Sequence, residues 1–290
     1  MRRREFLALV TPSVLVMGAL LVLPLYRTIE WSLERVNYGE AGTFVGLANY
    51  REALTDPRLG RAVLFTVGLT LAVVAVLLVG GYLLAVLVDR LSRRSKPWVL
   101  GILLISYVVP NVVGATMFSW LFDANFGGVV NHLITLVTGQ EVLWFTDPWP
   151  NRVMVALDTI WFMLPFAMLV IIAGLQGVPG ELIEAARIDG ASIVRTHWNV
   201  IIPSIRGVLG FVAIISIMDV VRTFDQLIPL SPQAVQLGNE SIMLYIFNIA
   251  FQDGGQQLGL GSAVNVLLIL LIVLMLFPFI RGIAKEARQA

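Results

Sequence analysis

The stretch VPGELIEAARIDGASIVRTHWNVIIP, residues 178–203, lies between two segments that are each apolar enough to cross a membrane. Its pattern predicts a short helix, a glycine stop and a second short helix. Pro179 suits a first helical turn, and Glu181 and Glu184 complement the positive end of the helix dipole. Gly190 can adopt the left-handed conformation that ends a helix. The stretch is therefore predicted to form a helical loop outside the bilayer.

The first of these short helices is apolar over much of its surface, although it lies outside the bilayer. Such a surface has to be covered by something. Two alternatives are open at this point: the helix packs on the protein's own spans, or it docks a cytoplasmic subunit. The apolar residues concerned are Leu182, Ile183, Ala185, Ala186 and Ile188.

The composition of the 290-residue chain excludes most classes of soluble protein. Apolar residues make up 58% of it and charged residues 13%, whereas a soluble domain is about 45–50% apolar and about 25% charged. The net charge of +1 gives no basic balance for nucleic acid. The lack of cysteine excludes disulfides and cysteine metal sites, and two histidines, His132 and His197, are too few for a His-rich metal site.

Six segments are long and apolar enough to cross the hydrocarbon core, for which about 20 apolar residues suffice. They predict an all-α polytopic membrane protein with one transmembrane domain, residues 1–290. The fifth segment is the least apolar, because it carries Asp219, Arg222 and Asp225. The predicted spans are residues 6–33, 62–89, 97–122, 153–175, 205–228 and 258–282, and residues 176–204 form a loop between the fourth and fifth.

Lysine and arginine are unevenly distributed between the two sides of the predicted spans. Thirteen lie at the chain ends and in the loops after the second and fourth spans, and five lie in the opposite loops. Because cytoplasmic loops are enriched in positive charge, both termini are predicted to be cytoplasmic. The first apolar run follows an Arg-rich start, as in a signal peptide. It is long and no small-residue cleavage site ends it, so we expect a retained span.

The chain lacks the residues for nucleotide hydrolysis. A phosphate-binding loop ends in Gly-Lys-Ser or Gly-Lys-Thr, whereas the only lysines, Lys96 and Lys285, follow serine and alanine. Any nucleotide hydrolysis is therefore expected in a partner subunit. This chain itself is expected to bind no cofactor and not to be an enzyme. The one alternative catalytic arrangement is an aspartyl pair, Asp219 and Asp225, and six residues of separation on one helix suit it poorly.

The quoted segment resembles the EAA loop of permease subunits in bacterial binding-protein-dependent ABC importers. Its residue types and the gap from Gly190 to Pro203 fit that loop, with Ile202 and Gly207 where the family usually has Leu and a second Pro. The resemblance implies the type I ABC importer permease fold. It also implies that residues 176–204 are a coupling loop that docks an ATPase subunit. The residues implied in coupling are Glu184, Ala185, Ala186, Asp189 and Gly190.

Further motifs are similar to those of sugar permeases of the maltose-transporter (MalF) type. They occur in that family's order over nearly the whole chain, although Ser-Pro-Gln at residues 231–233 replaces its usual Gly-Gly-Pro turn. The motifs are FVGLANY (44–50), YVVP (107–110), FGGVVN (126–131), Trp161 with Pro165, Phe224 with Asp225, and GLGSA (259–263).

This resemblance implies a subunit that forms the translocation path of an ATP-driven carbohydrate importer with a second permease. The other implied partners are two cytoplasmic ATPase subunits that use ATP and Mg, and an extracytoplasmic solute-binding protein, expected as a lipoprotein. The implied location is the bacterial cytoplasmic membrane, in contact with lipid. The implied substrate is a carbohydrate, such as an oligosaccharide or a related polyol compound, and Asp219 with Asp225 would equally suit an amino sugar. No nucleic acid partner is expected.

Polar and aromatic side chains within the spans are the candidate substrate path. Asp219, Arg222 and Asp225 are spaced by three and are predicted to share one helical face. Two interpretations are open: an ion-pair ladder that holds helices together, or a wall of the translocation cavity, which the resemblance favours. The substrate-path residues that the resemblance implies are Tyr107, Thr159, Phe162, Met163, Phe166, Asp219, Arg222, Thr223 and Gln226.

A proton-coupled secondary transporter is the competing class of function. It would use Asp219 and Asp225, because an ionisable group inside a span is costly and usually functional. Such a transporter has no need of a docking segment. The EAA-like loop therefore favours the ATP-driven importer.

Overall fold

Helices dominate the computed structural model, which describes residues 3–123, 125 and 127–286. Within these residues the only sheet is a two-stranded antiparallel hairpin of β1 (Glu34–Arg35) and β2 (Thr43–Phe44). The predicted all-α class is therefore confirmed. Phe126 of the FGGVVN motif lies outside the described residues, as do Arg2 and Arg288, which are among the thirteen basic residues counted above.

The described helices provide four candidate membrane spans, or six if two bent pairs are each counted as one span, against the six predicted. Two of the long helices start at Pro57 and Pro148, five residues before the predicted spans, because proline suits the first helical turn. The helices are α1 (Arg3–Ser32), α2 (Ala48–Thr55), α3 (Pro57–Asp89), α4 (Lys96–Val108), α5 (Asn111–Phe122), α6 (Val129–Thr138), α7 (Pro148–Gln176), α8 (Gly180–Ile188), α9 (Ile193–Thr196), α10 (Ile202–Ser204), α11 (Arg206–Val221), α12 (Leu227–Leu230), α13 (Ala234–Leu237), α14 (Ile242–Phe247) and α15 (Leu258–Glu286), with π-helical turns at His197–Ile201 and Asn248–Gln252.

The third predicted span, residues 97–122, is two helices rather than one. α4 and α5 meet at an angle of 99°. The carbonyl of Pro110 accepts the first N–H bonds of α5, from Val113 and Gly114. Proline has no N–H to continue the hydrogen bonds of α4, so one helix ends and the next begins at this residue.

In the fifth predicted span, residues 205–228, the helix ends earlier than expected, and it pairs at an angle of 70° with the helical segment Ile193–Ser204 before it. α11 ends at Val221, because the backbone N–H of Arg222 bonds to the carbonyl of Asp219 in a tight i→i−3 turn. An irregular turn then leads to α12. The predicted helical face shared by Asp219, Arg222 and Asp225 is therefore wrong, since only the first of them lies within the helix.

The chain divides into two compact units that alternate along the sequence. One comprises the residues up to Gly60 together with Ile242–Leu271, and the other comprises Arg61–Ser241 and the residues from Ile272 onward. Two of the boundaries fall inside the long helices α3 and α15. No linker composition therefore marks them, which is why the sequence predicts a single domain.

In the first unit, the FVGLANY segment closes the hairpin that follows α1. Asn49 Nδ2 donates to the carbonyls of Ser32 and Glu34 at 3.0 and 2.8 Å, and the Tyr50 hydroxyl donates to Ser32 Oγ at 2.7 Å. A Cβ at Gly259 would collide with the Glu34 carbonyl, so only glycine fits there. Two of the sequence motifs therefore pack on the same hairpin.

α7 is the centre of the second unit, where it packs against α4, α5, α11 and α12. Its fully buried residues include Met154, Val155 and Met168. A Cβ at Gly114 of α5 would lie 3.0 Å from the Trp161 ring, so the glycine allows α5 to approach α7 closely. This packing positions the side chains that α7 contributes to the candidate substrate path.

Candidate functional site

The coupling loop contains a helix with a complete C-terminal cap. α8 begins after Pro179 and is followed by Gly190 in the left-handed conformation, with φ at 75°. The N–H of Ala191 donates to the Ala186 carbonyl at 2.9 Å, and the N–H of Gly190 donates to the Arg187 carbonyl at 3.0 Å. These bonds form a Schellman motif, which satisfies carbonyls at the helix end. The predicted helix and its glycine stop are therefore confirmed.

The apolar surface of the coupling loop is exposed in the described chain. No side chain of α8 is buried. The exposed fraction is 87% for Ile188, 77% for Val194 and 72% for Trp198. The described part of the chain thus leaves this surface uncovered. Of the predicted coupling residues, Ala186 is half-buried and the others are exposed: Glu184, Ala185, Asp189 and Gly190.

A hydrogen bond between Tyr82 and His197 ties the coupling loop to α3, in addition to one from Gln176 to Asp89. Tyr82 Oη lies 2.6 Å from His197 Nδ1, and the two rings pack edge to face with centroids 6.0 Å apart. Burial, and then the nearby charge of Arg90, hold the pKa of His197 below its usual value. The neutral imidazole accepts from the tyrosine hydroxyl in one tautomer and donates to it in the other. A cavity of about 460 Å³ lies beside this contact, and His197 is one of the residues that line it.

Three substrate-path candidates form an aromatic cluster between α4 and α7. The centroid of the Tyr107 ring lies 5.7 Å from that of Phe162 and 5.9 Å from that of Phe166, and the tyrosine ring is inclined by 20° to the latter. Tyr107 is exposed, and the two phenylalanines are half-buried. The cluster thus presents ring faces of the kind that stack on sugars.

Two further candidates belong to a buried hydrogen-bond chain. Gln226 Nε2 donates to Thr159 Oγ1 at 2.7 Å, and Asn111 Nδ2 donates to Gln226 Oε1 at 2.6 Å. Thr159 in turn donates to the carbonyl of Val155. The exposed fractions of Thr159 and Gln226 are only 3% and 4%. This chain therefore joins α5, α7 and the turn before α12.

Asp219 and Arg222 form an exposed ion pair at the end of α11. Arg222 Nη2 lies 3.4 Å from Asp219 Oδ1, and both side chains are at least half exposed. Asp225 is exposed as well. An exposed pair of this kind contributes about 0–1 kcal/mol. Within the described chain, these residues are therefore not a ladder buried between its own helices.

The structure divides the substrate-path candidates into an accessible set and a buried set. It also bonds Asn111, which is not among the predicted substrate-path residues, to Gln226. The signal for Asn111 is its position directly after Pro110 in an otherwise apolar stretch, where a polar side chain needs a partner. The accessible residues are Tyr107, Phe162, Phe166, Asp219 and Arg222, and the buried ones are Thr159, Met163, Thr223 and Gln226.

The similarity to known relatives extends over nearly the whole chain. The family described as "Binding-protein-dependent transport system inner membrane component" matches residues 81–281. The inner membrane ABC transporter permease protein YcjO of Escherichia coli (strain K12) is 33% identical over 92% of this chain and 89% of that protein. The trehalose/maltose transport system permease protein MalF of Thermococcus litoralis is 28% identical over 91% of this chain and 88% of that protein.

A solved structure shares the fold. It is a chain of a bacterial alginate ABC transporter in complex with a periplasmic protein that holds an alginate pentasaccharide. The TM-score is 0.82 at 17% sequence identity, over 96% of this chain and 93% of that chain.

Proposed function

Because the chain belongs to the family of binding-protein-dependent transport system inner membrane components, we propose that it is the permease subunit of a bacterial ABC importer for a carbohydrate. It is a multi-pass protein of the cytoplasmic (inner) membrane and a transport component rather than an enzyme. With a second permease it forms the translocation path. The matched residues, 81–281, include the coupling loop and the whole candidate substrate path.

The uncovered apolar surface of α8 is the observation that carries the proposal. An exposed apolar patch outside the bilayer is typical of a protein interface. A cytoplasmic ATPase subunit covers this patch in the proposed complex, and the Schellman turn at Gly190 fixes the shape that it contacts. When the ATPase subunits close on ATP, α8 moves with them. The contact between Tyr82 and His197 then transmits the movement to α3.

ATP and Mg belong to the two partner ATPase subunits in this proposal. This chain binds no cofactor, in agreement with the positions of its only lysines, Lys96 and Lys285. An extracytoplasmic solute-binding protein, expected as a lipoprotein, delivers the substrate. The cavity between the two permeases then opens alternately to the outside and to the cytoplasm.

The proposed substrate is an oligosaccharide, with a disaccharide such as trehalose or maltose as the first to test. The relative from Thermococcus litoralis is named for these two sugars. In this chain, the rings of Tyr107, Phe162 and Phe166 offer stacking faces, and Asp219 with Arg222 offers hydrogen-bonding groups for hydroxyls. The buried candidates, such as Gln226, support this wall from behind rather than touching sugar.

Uptake by the complete transporter in proteoliposomes tests the proposal against the secondary transporter. Uptake of labelled trehalose or maltose should require ATP on the side of the ATPase subunits and the binding protein on the other side. It should continue when a protonophore removes the proton gradient. Uptake by this chain alone that needs the gradient, and that both Asp219→Asn and Asp225→Asn abolish, would support the secondary transporter instead.

A further inference from the structure

A large cavity lies at the N-terminal ends of α3 and α7, within the second unit. Its volume is about 870 Å³, and it is lined by these two helices and by α13 with the residue that follows it. Both helix ends belong to the side of the membrane that the charge distribution assigns to the outside. The cavity is thus far along α3 from the contact of Tyr82 with the coupling loop, and the transport proposal gives it no role.

Small residues open the cavity. Gly68 and Ala72 of α3 and Ala156 of α7 line it, and a Cβ at Gly68 would meet no other atom within 4 Å. Further along the same helices the space closes, because a Cβ at Gly81 would lie 3.2 Å from the Cβ of Ala167. The two helices therefore touch at one level and leave a groove nearer their N-terminal ends.

The walls of the groove are apolar. Phe65 and Leu69 line it and are each 7% exposed, whereas Leu64 is 76% exposed. An apolar lining within a membrane-spanning segment loses no hydrogen bonds when hydrocarbon covers it. An aliphatic chain therefore fits the groove better than water or a polar solute.

Two arginines stand at the mouth of the groove without a carboxylate partner in the described part of the chain. Arg152 Nε donates to Asn239 Oδ1 at 2.6 Å, and its guanidinium lies 5.0 Å from the centroid of the Trp149 ring. Arg61 lines the same cavity and is exposed. Tryptophan is enriched at the level of lipid headgroups, so these residues mark the membrane interface.

We propose that the groove binds an anionic phospholipid, with its phosphate between Arg61 and Arg152 and an acyl chain along Phe65 and Leu69. Guanidinium groups form paired hydrogen bonds with phosphate oxygens, and two of them match a headgroup that carries no positive charge of its own. An apolar helix of another subunit would cover both guanidiniums without neutralising them, which is unfavourable. The charge at the mouth therefore favours the lipid over a protein helix.

Native mass spectrometry of the full-length chain, purified in detergent, tests the site with phosphatidylglycerol and with phosphatidylcholine of the same acyl chains. The wild-type chain should retain phosphatidylglycerol in preference. Arg61→Gln should weaken that binding about tenfold, as expected for the loss of one charged hydrogen-bonding partner. Arg51→Gln is the matched control, because Arg51 is an exposed arginine outside the groove.

A second variant tests the groove while both arginines remain. Gly68→Leu places a side chain where no protein atom obstructs it, and the leucine should occupy the space of the acyl chain and reduce lipid binding. Gly101→Leu in α4, also at an unobstructed position, should bind lipid as the wild type does.

Equal retention of the two lipids by the wild-type chain would overturn the proposal. So would undiminished binding of phosphatidylglycerol in both Arg61→Gln and Gly68→Leu. A crosslink from a photoreactive residue at position 68 to a second permease in the intact complex, in place of lipid, would assign the groove to a protein interface. Neither lipid measurement uses transport, so failure here leaves the proposed function untouched.

Discussion

Replacing Gly190 by valine is expected to destabilise the capped form of the coupling loop through backbone strain, without a steric collision. The residue has φ at 75°, where an L-residue costs about 1–2 kcal/mol and a β-branched one is especially disfavoured. A Cβ there would meet no atom within 4 Å, so the cost is backbone strain alone. Unwinding the Schellman turn relieves that strain. The capped form of the loop should therefore become about 5- to 30-fold less populated relative to open forms.

Three measurements on Gly190→Val check this expectation. The backbone amides of residues 190 and 191 should exchange hydrogen faster than in the wild type, because both donate in the Schellman motif. Co-purification of the ATPase subunits and ATP-driven uptake should fall together, while the amount of chain in the membrane stays unchanged. Gly180→Val is the control, since its Cβ is equally unobstructed and its φ is not positive. Faster exchange in Gly190→Val together with wild-type co-purification and uptake would refute the coupling role.

Three further outcomes are expected. Gln226→Ala leaves Asn111 without an acceptor and Thr159 without a donor, so it should lower the free energy of unfolding by about 1–3 kcal/mol. Asp219→Asn should change that free energy by no more than about 0.5 kcal/mol and should instead reduce sugar uptake. A larger loss of thermal stability in Asp219→Asn than in Gln226→Ala would contradict the division into buried and accessible residues. Tyr82→Phe keeps the ring and removes the hydrogen bond to the coupling loop, so fewer sugars should be imported per ATP hydrolysed, and an unchanged ratio would exclude that contact from coupling. The chain purified alone should hydrolyse no ATP, and turnover that survives removal of contaminating ATPases would contradict this.

Local signals in the sequence predict the coupling loop closely. The stop at Gly190 depends on a backbone conformation that glycine adopts freely, and the start depends on a proline, so neither needs information from elsewhere in the chain. The permease fold that the resemblance implies is also confirmed. It is predictable because long apolar helices dominate the chain and are visible in its hydropathy.

The substrate path is less predictable, because burial depends on helices that are distant in the sequence. Thr159 and Asp219 are both polar residues within apolar segments, yet one is buried against Gln226 and the other is exposed. Spacing by three indicates a shared face only while the helix continues, and the tight turn at Arg222 ends it. Hydropathy carries no information on that turn.

The buried chain of Asn111, Gln226 and Thr159 also bears on how such a permease can change its substrate over evolutionary time. Each of these residues depends on another for its hydrogen bond, so a single substitution is penalised before a second can compensate. Tyr107 and Asp219 carry no such dependence on a buried polar partner. Divergence among descendants of this chain should therefore accumulate first at the accessible wall, and the interlocked residues behind it should change, if at all, as a set.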